Sequence, residues 1–359
     1  MKWENKVGKD FDNLSQRLIY SYIVSYSKFI PADTDKITVE AQKQTHEFFG
    51  KALCKVYENP AIIGLPLDKD DYFDWEMFKD KPELARKMKS LEKKYLEFFN
   101  FLFDIGNIGI LKENKLYISN SAMKLQKSKL TQLERIGLKS EVISDGAFMY
   151  SGEYPELCSG FKFLVNICKS AYGKDTKNSI QGCSLKNLMF THCIFDEKHI
   201  SWTNLYGDLE QNGAYLKETE EYFISKGYKN IYFDNSFRLH KAYPNKQDGS
   251  FSVMFGWRRK NQLTYAFDLP SVRILMEHFD EMDDELKGFA FSRLNNCNSC
   301  GYCTQTGKRE IVAMELNHNG ETINKCPYYA NFGSDHLDGK TISIIKKLYD
   351  FAEDVLFKV

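Results

Sequence analysis

The chain has 359 residues, of which 43% are hydrophobic and 14% aromatic, ample material for a packed core, so composition argues against a disordered chain. Its 49 Lys and Arg offset 49 Asp and Glu, which removes any global charge that would draw it to nucleic acid or an anionic membrane. The polar opening Met1-Lys-Trp-Glu-Asn-Lys leads into no apolar run, and the stretch 18–30 is broken by Ser21, Ser25, Ser27 and Lys28. The expectation is a cytoplasmic protein with reduced thiols, no secretory leader and no membrane span.

In chain order, Phe11, Leu14, Leu18, Tyr22 and Tyr26 recur every three or four positions and predict a helix over 10–29, stopped by Pro31. A second helix is expected over 38–57, with Thr38 as N-cap and Phe48, Phe49, Ala52 and Val56 turned inward. A third over 82–104 opens on Pro82 and carries Leu84, Met88, Leu91, Tyr95, Phe98 and Leu102 on one face. Its other face holds Arg86, Lys87, Lys89, Lys93 and Lys94, which reads as a solvated surface.

A strand at 115–119, a helix over 121–136 and two strands, 137–143 and 147–150, follow, the last two joined by Ser144-Asp145-Gly146. Helix, glycine, hairpin is the local grammar of a winged helix, a nucleic-acid-binding element, but no first helix stands immediately upstream. A helix over 155–172 turns Phe161 and Cys168 inward. Residues 187–195 read as a strand in which His192 and Cys193 point to opposite faces, so the pair cannot act as base and nucleophile.

A helix over 213–225 ending in Gly227 precedes a strand-rich block at 230–233, 237–243, 250–258 and 263–269. Arg238 and His240 share one face of their strand, and with Arg258 and Tyr265 they are the candidate pocket for an anionic or small-molecule ligand. An acidic helix over 271–287 lacks the glycine and ligand spacing of a calcium loop. No Walker loop, dinucleotide fingerprint, His-Glu-x-x-His or Gly-x-Ser-x-Gly occurs, so no reaction is assigned from motifs.

The sharpest pattern is Cys297-Asn-Ser-Cys300-Gly-Tyr-Cys303, followed by Cys326-Pro327. The other five of the nine cysteines, at 54, 158, 168, 183 and 193, are dispersed and read as small buried hydrophobes. A C-x2-C knuckle lets two thiolates approach one ion, and a hairpin turning at Asn319-Gly320 separates Cys303 from Cys326, an arrangement similar to a zinc ribbon. The same four cysteines also fit a [4Fe-4S] cluster, since three close thiolates and a remote Cys-Pro are the ligand pattern of bacterial ferredoxins. The polar flanks Asn295, Asn296, Asn298 and Ser299 and the interposed hairpin favour Zn2+. A closing helix over 340–357 would dock through Ile342, Ile345, Leu348 and Val355.

The run Cys297-x-x-Cys300-Gly-Tyr-Cys303-Thr-Gln-Thr, then Gly307-Lys-Arg and Cys326-Pro, resembles a C-terminal tail of uncharacterised proteins from low-GC, clostridial-type bacteria. The resemblance covers about a sixth of the chain and implies no activity. The expected fold is α+β: a helical region 1–110, a domain 111–290 with an antiparallel sheet, and a four-cysteine metal module with its closing helix over 291–359. The expected function is that of a binding or regulatory protein with a structural zinc site, an iron–sulfur redox enzyme being the first alternative and a winged-helix-like nucleic-acid binder the second.

Overall fold

The computed structural model describes residues 12–24, 26, 28–67, 82–175, 189–206, 213–233, 236–242, 250–259, 262–269, 272–297, 312–330, 332 and 338–358. The fold is α+β, with helices and three small sheets whose described registers are antiparallel. Among the described residues no helix is long and apolar enough to cross a membrane. Backbone contacts gather the chain into two compact units, one over Met1–Asp208 and one comprising most of the remainder. The N-terminal helices and the first sheet therefore share a unit.

In the first unit α1 (Leu14–Val24), α2 (Val39–Glu58), α3 (Pro82–Ile108) and α5 (Leu157–Asp175) form the helical core. Thr38 caps α2 as expected, its Oγ1 accepting from Ala41 N–H at 3.0 Å. The close crossing of α2 and α5 depends on Gly160, where a Cβ would overlap Thr45 Oγ1 and the Ala41 carbonyl. On α5, Cys158, Phe161, Leu164, Val165 and Cys168 are all buried. Lys162 leaves that apolar face and reaches the end of α3. Its ammonium donates to the carbonyls of Gly106, Asn107 and Gly109 at 2.9, 3.0 and 2.7 Å, satisfying acceptors that a helix C-terminus leaves open.

The sheet of this unit runs β1 (Ile110–Lys112), β2 (Lys115–Ser119), β4 (Gly146–Tyr150), β3 (Lys139–Ile143). Leu116, Ile118, Ala147 and Met149 make its buried face. Helix α4 (Lys127–Ile136) ends at Gly137 with φ +108, and the β3–β4 hairpin follows. Residues 120–126 between β2 and α4 hold turns and no helix, so the first helix of a winged-helix motif is missing.

The expected strand over 187–195 is corrected. Residues 189–191 are helical, and the chain then turns through Cys193 at φ +53, with Ile194 N–H donating to Met189 O at 2.8 Å. A run of apolar residues alone does not separate a buried strand from a buried helical turn.

In the second unit α6 (Gly213–Ser225) packs on the closing helix α9 (Gly339–Lys358), where Tyr222 O–H donates to Asp350 Oδ1 at 2.7 Å and Phe223 meets Tyr349 at 4.8 Å between ring centroids. A four-stranded sheet follows the order β5 (Lys229–Phe233), β6 (Ser236–Ala242), β7 (Ser250–Arg259), β8 (Gln262–Asp268). The acidic stretch forms two helices rather than one, α7 (Val272–Glu277) and α8 (Asp284–Arg293). Asp283 imposes the break: its carboxylate accepts from Leu286 N–H at 2.8 Å and starts a new helix whose first turn carries Asp284 and Glu285. The third sheet has the order β10 (Met314–His318), β11 (Glu321–Ala330), β9 (Leu294–Asn296). Its hairpin turns at Asn319 and Gly320, both with positive φ, as an Asn-Gly turn requires.

Candidate functional site

The base of the β10–β11 hairpin is where two of the four clustered cysteines stand. Asn296 on β9 is directly opposite Lys325 on β11, and the Cys297 N–H donates to Asn324 O at 2.8 Å. Cys297 and Cys326 thus follow the two members of one cross-strand pair. Cys297 is the first residue past β9, and Cys326 is the first residue of β11 past that pair, where the register begins to shift. Cys326 is 9% exposed and Cys297 is half-buried. Pro327 lies where the register shifts between Lys325 and Ala330, an irregular place that tolerates a residue with no N–H to donate.

One face of the hairpin is docked on α8. Leu316 is buried there, and His318 packs its ring 5.6 Å from Phe291 and 6.5 Å from Phe279. These contacts hold His318 against the unit although it stands next to the hairpin turn. Lys325 is 4% exposed, and its ammonium donates to Leu294 O at 3.2 Å and Asn296 Oδ1 at 2.7 Å, 4.4 Å from the Phe291 ring centroid. Burial holds its pKa below the ordinary lysine value. This buried cation ties β9 to β11 immediately beside Cys326, and nothing in the sequence marks a strand lysine as buried.

Residues 298–311 follow Cys297 in the sequence, and Met314 beyond them pairs with Lys325. Both ends of the segment that carries Cys300 and Cys303 are therefore anchored next to Cys326. Three residues span at most about 10 Å and six about 20 Å, so the spacing allows all four sulfurs to meet. Cys300 and Cys303 lie outside the described residues. Among the described residues no three His, Cys, Asp or Glu side chains gather as a metal would need.

The candidate ligand pocket is placed only in part. Arg238 and His240 on β6 are opposite Met254 and Ser252 on β7, at positions that share a face. Arg258 belongs to β7 and Tyr265 to β8, and the side chains of Arg238, His240, Arg258 and Tyr265 lie outside the description. Lys241, between these positions and the α9 helix, is an ion-pair residue that the sequence reading missed: its Nζ is 3.0 Å from Glu353 Oε1, which also accepts from Tyr228 O–H at 3.2 Å.

In the first unit His192 and Cys193 are buried. Burial pushes the Cys193 thiol well above its ordinary pKa, an effect that the hydrogen bond with Tyr26 only partly offsets, so it is held as the thiol. The strand that would set His192 and Cys193 on opposite faces is not formed, and burial is what holds Cys193 as the thiol.

The chain matches no protein-family model, no curated protein and no solved structure.

Proposed function

We propose that this is a cytoplasmic binding or regulatory protein whose C-terminal hairpin is stapled by one zinc ion on Cys297, Cys300, Cys303 and Cys326. The observation that carries the reading is the placement of Cys297 and Cys326, each one residue beyond the single cross-strand pair Asn296–Lys325. Two thiolates there supply half of a tetrahedral donor set, and the anchored segment between them brings the C-x2-C knuckle. Bound zinc would supply a cross-link between β9, β11 and the connecting segment. The residues of the chain do the rest: Lys325 fixes the register of the two strands, and the α8 packing fixes the tilt of the hairpin. A hairpin held through Leu316, His318 and Lys325 against a packed helix suits a staple. Ligand binding would then fall to the sheet β5–β8 through Arg238, His240, Arg258 and Tyr265.

The pairing of Cys326 with Pro327 supports a second reading, a [4Fe-4S] cluster on the same thiolates in a redox enzyme. Anaerobic purification followed by metal quantification and an optical spectrum separates the two. Colourless protein with about one zinc per chain supports the staple. Brown protein with iron and broad absorption near about 400 nm supports the cluster. Protein free of both metals, with all four thiols open to titration, would overturn the site.

A further inference from the structure

The outward face of the first unit's sheet carries a pattern that packing does not require. Register arranges its side chains in two rows across the strands. One row is Lys112, Lys115, Tyr150 and Lys139: Lys112 pairs with Lys115, Tyr150 pairs with Lys139, and Lys115 stands one residue before the Leu116–Met149 pair, in line with Tyr150. The next row is Ile110, Tyr117, Phe148 and Glu141, each paired with its neighbour. The rows are two residues, or about 7 Å, apart, and each crosses four strands, or about 14 Å.

Like charges directly opposite one another on an antiparallel pair are destabilising, yet Lys112 and Lys115 occupy such a pair. Their ammonium groups sit over the aromatic row and its neighbour: Lys112 is 4.2 Å from the Tyr117 ring centroid, and Lys115 is 4.8 Å from that of Tyr150 and 5.8 Å from that of Phe148. Glu141 is 3.1 Å from Lys115, whereas Lys112 and Lys139 are exposed and have no ion-pair partner among the described residues. Asp145, the carboxylate at the β3–β4 turn, accepts from Tyr117 O–H at 2.8 Å. Phe148 and Tyr150 are half-buried, and Tyr117 is 9% exposed beneath Lys112.

A row of cations beside a row of ring faces fits a ligand with flat π-surfaces and repeated negative charge. A duplex would offer the phosphates but keep its bases stacked inside, and a single nucleotide would use only one ring and one cation. We propose that this sheet face binds single-stranded nucleic acid, with bases stacked on Phe148 and Tyr150 and the phosphodiester chain along Lys112, Lys115 and Lys139. On binding, the lysine side chains leave the rings for the phosphates, and Tyr117 braces the edge of Phe148, their centroids being 5.2 Å apart.

The test uses the full-length protein and fluorescence anisotropy with labelled oligouridylate and oligothymidylate of about 12 nucleotides, and a duplex of equal length, at about 50 mM salt. Both strands, or one of them, should bind at least about tenfold more tightly than the duplex, with a log–log salt slope near −2 for three phosphate contacts. Uridylate bound alone, or thymidylate bound alone, supports the face equally. Phe148→Leu, which keeps apolar bulk and removes the ring, should weaken binding about 5- to 150-fold. Lys112→Gln and Lys139→Gln, both surface changes that leave melting unaltered, should each reduce the slope by about 0.7. The proposal is overturned if neither strand binds, if the duplex is preferred, or if binding survives Phe148→Leu and both lysine variants unchanged. None of these outcomes depends on the cysteine hairpin, which belongs to the other unit.

Discussion

The cysteines of the two units live under opposite conditions. In the first unit Cys54, Cys158, Cys168 and Cys193 are buried, and none of them forms a disulfide. Where a shift is resolved, for Cys158 and Cys193, burial pushes the thiol up, Cys158 to about 11. In the second unit Cys297 and Cys326 each stand one residue beyond the Asn296–Lys325 cross-strand pair, and Cys300 and Cys303 follow within six residues of Cys297 in the sequence. The residue type is the same, but one set is packing material and the other is the set proposed as donors, and strand register with chain connectivity makes the difference.

The largest test of that contrast is Cys326→Ser. It should remove the bound metal completely, from about one ion per chain to none, and raise hydrogen exchange across β9–β11, because a structural thiolate site does not hold on three ligands and a hydroxyl as it does on four. Cys168→Ala in the first unit should leave metal content unchanged by the same elemental measurement.

Packing gives the next effect. Gly160→Ala forces a methyl against Thr45 and the Ala41 carbonyl and should cost about 1–3 kcal/mol or more, read as a lower melting temperature. The buried thiols then predict a pH dependence. The folded pKa of Cys158 is raised from 9.0 to about 11, so the folded state keeps its proton over that interval. The stability it contributes is fully present below pH 9 and is lost as pH rises toward 11, about 2–3 kcal/mol in all. Denaturant melts from neutral to alkaline pH should show this loss, and Cys158→Ala should reduce it. A smaller effect is expected at the hairpin, where Lys325→Met removes the donor to the buried Leu294 carbonyl and should cost about 1 kcal/mol, seen as faster exchange confined to β9–β11.

Much of the fold was legible because local chemistry decided it. Thr38 caps its helix, Gly137 and Gly227 take positive φ at helix ends, and Asn319-Gly320 turns its hairpin. What sequence did not reveal is set by neighbours distant in the chain. The three-residue strands β1 and β9 exist only because β2 and β11 pair with them. Nothing in the sequence around Lys162 and Lys325 marks them as buried, yet each turns to carbonyls supplied by other segments. Asp283 acts as a new helix start inside what periodicity shows as one acidic helix. For the site, spacing alone nominated the four cysteines, but the register that sets Cys297 and Cys326 beside one cross-strand pair needed the β9–β11 pairing. The lysine and aromatic rows of the first sheet escaped notice for the same reason, since β2 and β4 become neighbours only after α4 and β3 intervene.

The most direct measurement is the metal content of anaerobically purified protein compared with that of Cys297→Ser and Cys326→Ser. The expected result is about one metal centre per chain in the natural sequence and none in either variant, both variants still folded by circular dichroism. Metal retained in full after either substitution, or none in the natural sequence with all four thiols reactive, would contradict the shared site.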